Sequence, residues 1–216
     1  MHAWRGWVWG PGTDPFEIAA GAILVQNTAW TNAERALDNL RLAGALDPAA
    51  LAALDPAALE ALILPSGQFR QKARKLREFA ALIGRHGSFE GLLGLAPVQL
   101  RQELIATWGI GPETADSIVL YCARQPAFVV DAYTMRLFGR LGFRAGCGSY
   151  GDWQRFFEGR LLPDPDAWGE WHALIVLHAK HLCLKRAPKC AQCTLAPRCP
   201  FAEEAAHDLR TPGSAG

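Results

Sequence analysis

Apolar residues recur at three- and four-residue intervals along almost the whole chain, a pattern that predicts a protein built of helices. Between Pro15 and Gln26, the positions Phe16, Ile18, Ala19, Ala22, Ile23 and Val25 form one wide helical face, and a second helix runs from near Thr28 or Thr31 to Leu42. Asp-Pro pairs at 47–48 and 55–56 read as N-caps followed by a first-turn proline, each opening a short helix. Pro65-Ser66-Gly67 interrupts the pattern before a helix over about Phe69 to Ile83, a short one after Ser88 and another from Pro97 to Thr107. Ala115, Ile118, Val119 and Cys122 stand at i, i+3, i+4 and i+7 and place a helix over about Glu113 to Ala123. Further helices run from Asp131 to about Gly139, over roughly 150–161 and over 166–182. Only Ala127 to Val130 reads as extended, too short to make a sheet, and the Gly/Ser/Pro-rich end after Arg210 reads as disordered.

With 216 residues, 50% of them apolar, the chain has material for one or two cores. A net charge of +1 means that a nucleic-acid partner has to be met by a local basic patch. The chain contains no run of 18 apolar residues, and the N-terminal MHAWRGWVWGPG lacks the layout of an export signal. The expectation is a soluble, cytoplasmic monomer without membrane association.

Four of the six cysteines crowd together as Cys183, Cys190, Cys193 and Cys199, a C-x6-C-x2-C-x5-C spacing that leaves Cys122 and Cys147 apart. Four thiolates so close can wrap an iron-sulfur cluster or a tetrahedral zinc ion, and a pair of disulfides is the remaining alternative. Gly109-Ile-Gly-Pro112 is a glycine-bearing turn opening a helix, which reads either as a tight helix-helix connection or as an anion cradle of backbone amides. Val129-Val130-Asp131 sets a carboxylate between an extended run and a helix, where it caps that helix and can serve chemistry as well. Arg70, Lys72, Arg74, Lys75 and Arg77 form a cationic stretch of which about half can face one phosphate backbone, and Lys185, Arg186 and Lys189 form a second basic group.

Taken together, the Gly-Ile-Gly turn, the following helix, Val-Val-Asp and the terminal cysteine spacing resemble the helix-hairpin-helix DNA glycosylases of the endonuclease III family, from about Pro15 to Cys199. That resemblance implies an all-α fold of two helical lobes flanking a DNA-binding cleft, with a helix-hairpin-helix motif and a C-terminal loop holding a [4Fe-4S] cluster on the four cysteines. The lobes implied are residues 21–125, and residues 1–20 with 126–205, leaving 206–216 as a disordered tail. The implied partner is double-stranded DNA with a damaged base.

By the same resemblance Asp131 takes the place of the catalytic aspartate, and Gly109 and Gly111 that of the phosphate-binding hairpin. Gln26 stands where a glutamine fills the gap left by a flipped nucleotide, Gln68 or Phe69 stands at the second wedge, and Lys72 is a DNA contact. Without it, Gln26 would read as a surface amide and Phe69 as a core aromatic. Bifunctional members carry a lysine directly before the threonine of the hairpin motif, where this chain has Glu113. A carboxylate cannot form a Schiff base, so AP-lyase activity is expected to be absent. Ala22 stands where adenine-mismatch members carry a glutamate, and the segments around Trp9, Gln26 to Trp30 and His172 to Val176 are similar to the alkylpurine (3-methyladenine) branch. Trp7, Trp9 and Trp30 are then candidates for stacking on a cationic base. The alternatives are an oxidised-pyrimidine or mismatched-thymine glycosylase, and a catalytically silent lesion-binding protein. Lys180 reads as a surface lysine.

Overall fold

The structure is a computed structural model that describes residues 14–208. It is all-helical, as the periodicity predicts, with no strand among the described residues. Contacts divide the chain after Ala127 into two compact units.

The first unit opens with α1, Pro15–Leu24, capped by Asp14, whose Oδ1 accepts from Phe16 N at 2.8 Å. After α2 (Trp30–Leu42), the two Asp-Pro pairs do what their chemistry dictates: Asp47 caps α3 (Pro48–Ala53) and Asp55 caps α4 (Pro56–Leu62). A single tight turn at Leu64–Ser66 leads to α5, Phe69–Arg85, whose buried face carries Ala73, Leu76, Phe79, Ala80 and Ile83. Phe79 stacks on Phe16 at 6.2 Å, and Phe89 of α6 (Phe89–Leu93) meets both rings edge-on. Thus α1 packs with the first unit, although the sequence-based division grouped residues 15–20 with the cysteine-bearing lobe. Its burial on nearly every side gives the reason: Phe16, Ile18, Ala19, Ala20 and Ile23 all enter this core.

Helix α7 (Pro97–Ala106) turns through Gly109 into α8, Pro112–Ser117. The helix predicted to about Ala123 widens over Ile118–Cys122, where Ala123 N bonds back five residues to Ile118 O at 3.1 Å.

In the second unit the extended run to Val130 finds hydrogen bonds without a sheet. Phe128 N donates to Glu158 Oε1 at 2.9 Å and Phe128 O accepts from Gln154 Nε2 at 3.1 Å, both from α10, Tyr150–Glu158. Phe128 also stacks on Phe157 at 4.2 Å and meets Trp168 of α11 (Pro165–His181) edge-on. This rigid run delivers the chain to α9, Ala132–Arg140, which packs along α11. Two short turns at Cys190–Gln192 and Ala196–Arg198 precede α12, Pro200–Asp208. Residues 206–208, counted in the disordered tail from sequence, therefore continue a helix. Among the described residues, no helix is long and apolar enough to cross a membrane.

Candidate active site and DNA-contact elements

Asp131 is the N-cap of α9, and its two oxygens have different surroundings. Oδ1 accepts from Thr134 N at 2.7 Å and Thr134 Oγ1 at 2.9 Å, while Oδ2 lies 3.6 Å from His172 Nε2 on α11. The residue is only 8% exposed. Burial pushes its pKa up, but the nearby His172 imidazole and the two Thr134 donors outweigh it and hold the carboxyl below the ordinary carboxylate range. The cap and the functional role are thus compatible: one oxygen closes the helix, and the group is a buried anion at neutral pH.

From sequence His172 has no role beyond belonging to the segment similar to the alkylpurine branch. It lies on the buried face of α11 with Trp168, Ile175, Val176 and Ala179, and a polar residue in that apolar stripe was the available sign. Lys180, read as a surface lysine, is partly buried on the same helix, with Nζ 5.8 Å from the Tyr133 ring centroid. Burial lowers its pKa and the Asp131 charge raises it in part, so the two groups sense one another.

In the first unit the hairpin turn is built around Gly109, at φ +83°, where an added Cβ would fall 2.5 Å from Lys75 Cγ. Gly111 starts α8 at φ −89° with open space about it. Ile110 N donates to Thr107 O at 3.1 Å and Pro112 has no N–H, so an outside acceptor at this turn would be met through Gly109 and Gly111. Glu113 is exposed in the first turn of α8, where a carboxylate suits the helix dipole.

Gln26 is tied to this hairpin: its Nε2 donates to Thr114 Oγ1 at 2.9 Å and Gly109 O at 3.4 Å, and its Oε1 accepts from Lys75 Nζ. Gln68 is exposed in a left-handed conformation, φ 44° and ψ 34°, at the tip before α5. Phe69 packs against the core instead, which leaves Gln68 as the outward side chain of the pair. Trp30 also packs partly against this core, and Trp7 and Trp9 lie outside the described residues.

The cationic stretch requires correction. Lys72 is 1% exposed, with Nζ donating to Leu24 O at 2.8 Å and Ser66 O at 2.6 Å, so it does not present its ammonium to a phosphate. Burial, with Lys75 nearby, lowers its pKa to about 8. Arg77 donates to Leu54 O at 3.1 Å. Arg70, Arg74 and Arg77 are all exposed, Arg70 lying 3.8 Å from Glu60 and Arg74 3.6 Å from Glu78, and the Arg74 guanidinium sits 4.0 Å over the ring of Trp108, itself 41% exposed beside Gly109. That Trp108–Arg74 pair escaped the sequence reading because its partners are 34 positions apart, 108 against 74.

Cys183, Cys190, Cys193 and Cys199 line one cavity, walled by Leu137, Leu182 and Pro188. None of them is in a disulfide. Arg140 Nη1 donates to Cys183 Sγ at 3.2 Å and His178 Nε2 lies 3.4 Å from Cys193 Sγ. Burial and then the three neighbouring cysteines push the Cys190 thiol up, so gathering four thiolates here needs compensating positive charge. Among the described residues no three His, Cys, Asp or Glu side chains converge on the position of a single metal ion. Lys185, Arg186 and Lys189 are exposed on the loop between the first two cysteines.

Residues 20–159 match the family described as HhH-GPD superfamily base excision DNA repair protein. The chain is 38% identical over 194 residues to MJ1434 of Methanocaldococcus jannaschii, described by name as a DNA repair glycosylase, covering 88% of each chain. It is 30% identical over 190 residues to endonuclease III of Thermotoga maritima, covering 88% of this chain and 84% of that one. Among solved structures, the H. pylori 3-methyladenine DNA glycosylase bound to 1,N6-ethenoadenine is similar with a TM-score of 0.71 and 26% identity, over 80% of this chain and 87% of that one.

Proposed function

The chain belongs to the HhH-GPD superfamily of base excision DNA repair proteins, and from that premise we propose that it is a monofunctional DNA glycosylase that hydrolyses the N-glycosidic bond of a flipped, alkylated purine such as 3-methyladenine. The observation that carries this reading is the contrast between two carboxylates. Asp131 is a buried anion braced by His172 and Thr134, whereas Glu113 occupies the hairpin position at which lysine would supply a Schiff-base amine.

Breaking the bond between base and sugar builds positive charge on the sugar. A fixed anion close to that carbon stabilises the charge or takes a proton from the attacking water. Holding Asp131 ionised in a buried site costs desolvation in advance, so the reaction does not have to supply it. Glu113 leaves no amine at its position, so the product strand keeps its abasic site uncut.

Extruding a base costs roughly a few kcal/mol, and side chains entering the gap recover part of it. In this reading half-buried Gln26 and exposed Gln68 supply those side chains, while the Gly109 and Gly111 turn with Arg70 and Arg74 meets the backbone. An alkylated purine is electron-poor and stacks on an aromatic face, which Trp7, Trp9 and Trp30 would provide. Likeness to the H. pylori 3-methyladenine glycosylase supports that substrate.

The cysteine cavity suits a [4Fe-4S] cluster held by Cys183, Cys190, Cys193 and Cys199: the four residues line one cavity with apolar walls and are free of disulfides. Bound there, the group would cross-link a loop that has little core of its own.

The 30% identity to endonuclease III favours a second reading, excision of an oxidised pyrimidine or mismatched thymine. Incubation with duplexes carrying a methylated purine, thymine glycol or a G·T mismatch separates these. Free methylated base with an uncut strand is expected. Release from thymine glycol or G·T alone would transfer the assignment to the second reading, and release from none would leave a lesion-binding protein.

A further inference from the structure

Two lysines on α5 join three chain segments that are distant in sequence. Lys72 Nζ donates to Leu24 O, at the end of α1, and to Ser66 O, at the end of the tight turn before α5. Leu24 is one of the last residues of its helix, so its carbonyl lies at the negative end of the dipole and lacks an intrahelical partner. Each acceptor stands two residues before a glutamine with an expected place in the DNA: Leu24 before Gln26, and Ser66 before Gln68. Both loops also contain a left-handed non-glycine residue, Asn27 at φ 54° and Gln68 at φ 44°, a conformation that costs energy and that each loop would tend to leave if its anchor were lost.

Lys75 stands one turn further along α5. Its stem lies across Gly109, so close that only glycine fits there, and its ammonium donates to Gln26 Oε1. The other end of that amide is held by Thr114 Oγ1 and Gly109 O. The two lysines are therefore committed to protein acceptors. A phosphate contact would leave an ammonium free at the surface, whereas Lys72 is enclosed.

We propose that Lys72 and Lys75 are positioning residues that set how Gln26 and Gln68 enter a duplex, Lys72 by fixing the spacing of the two loops and Lys75 by orienting the Gln26 amide on the hairpin. This rests on the glycosylase reading above, in which both glutamines enter DNA. A lysine that neutralises a phosphate and one that sets loop geometry differ in what their loss does. Removing the first lowers the slope of log affinity against log salt by about 0.9. Removing the second leaves that slope alone and disturbs the stacked bases.

The test uses full-length protein and a duplex holding a tetrahydrofuran abasic analogue beside 2-aminopurine. Wild type should change the 2-aminopurine emission on binding. Lys72→Met should lose that change, slow single-turnover base release by roughly 10-fold or more, and keep the wild-type salt slope. A lowered slope with an intact emission change, or no change in either, overturns the proposal. If Lys72→Met loses its helical circular dichroism, Lys75→Met decides: it should weaken the emission change in wild type and add nothing in a Gln26→Ala background. An equal effect of Lys75→Met in both backgrounds overturns it. Wild-type protein that neither alters the emission nor prefers the abasic duplex to an intact one refutes the glycosylase reading itself.

Discussion

His172 Nε2 lies 3.6 Å from Asp131 Oδ2, with both side chains about nine-tenths buried in the second unit. The pairing sets the expected acid limb of activity. Asp131 is held below the ordinary carboxylate range because its contacts with His172 and Thr134 overcome the opposing effect of burial. Base release should therefore persist through mildly acid pH and fail only as pH falls through that depressed value. His172→Ala removes the largest of the lowering contacts, so the acid limb of the single-turnover rate should move to higher pH. An unmoved limb would separate His172 from the carboxylate's ionisation. For stability the sign is the same: a depressed carboxyl contributes stability above its unfolded pKa and loses it as pH falls through the folded one. Denaturant midpoints should therefore fall in acid more for wild type than for Asp131→Asn.

Glu113 accounts for the expected lack of strand cleavage. Borohydride should trap no covalent complex between wild type and damaged DNA, whereas Glu113→Lys, which puts an amine on the exposed first turn of α8, should become trappable. Trapping of wild type would show that another amine serves.

The two hairpin glycines are expected to respond differently. Gly109→Ala forces a side chain into left-handed backbone and against Lys75, and should cost about 1–3 kcal/mol with loss of DNA affinity. Gly111→Ala meets open space at an ordinary φ and should change stability by no more than about 0.5 kcal/mol. Chemical denaturation of both variants measures this, and equal costs would contradict the geometry.

The cysteine cavity predicts a brown protein with iron and acid-labile sulfide. Cys199→Ser should lower the content of both and reduce thermal stability. A colourless preparation with stoichiometric zinc would refute the cluster.

Much of the fold was legible because its rules are local. Asp-Pro caps, proline breaks and three-to-four periodicity do not depend on the rest of the chain, and α3, α4 and α5 start where those rules place them. Asp131 was legible as a cap for the same reason. What was missed depends on partners far away in sequence. Lys72 looks like any cation in a basic helix until Leu24 and Ser66 close over it, and Phe69 and Gln68 differ only in which one the core admits. The assignment of residues 15–20 went astray because an all-round apolar helix reveals that it is buried without revealing by which unit.

The central claim is that Asp131 drives hydrolytic base release, and single-turnover release of methylated purine by wild type and Asp131→Asn tests it most directly. The account predicts that wild type frees the base while Asp131→Asn, still folded and still bound to the duplex, is slower by about 100-fold or more. Release by Asp131→Asn at the wild-type rate would contradict it.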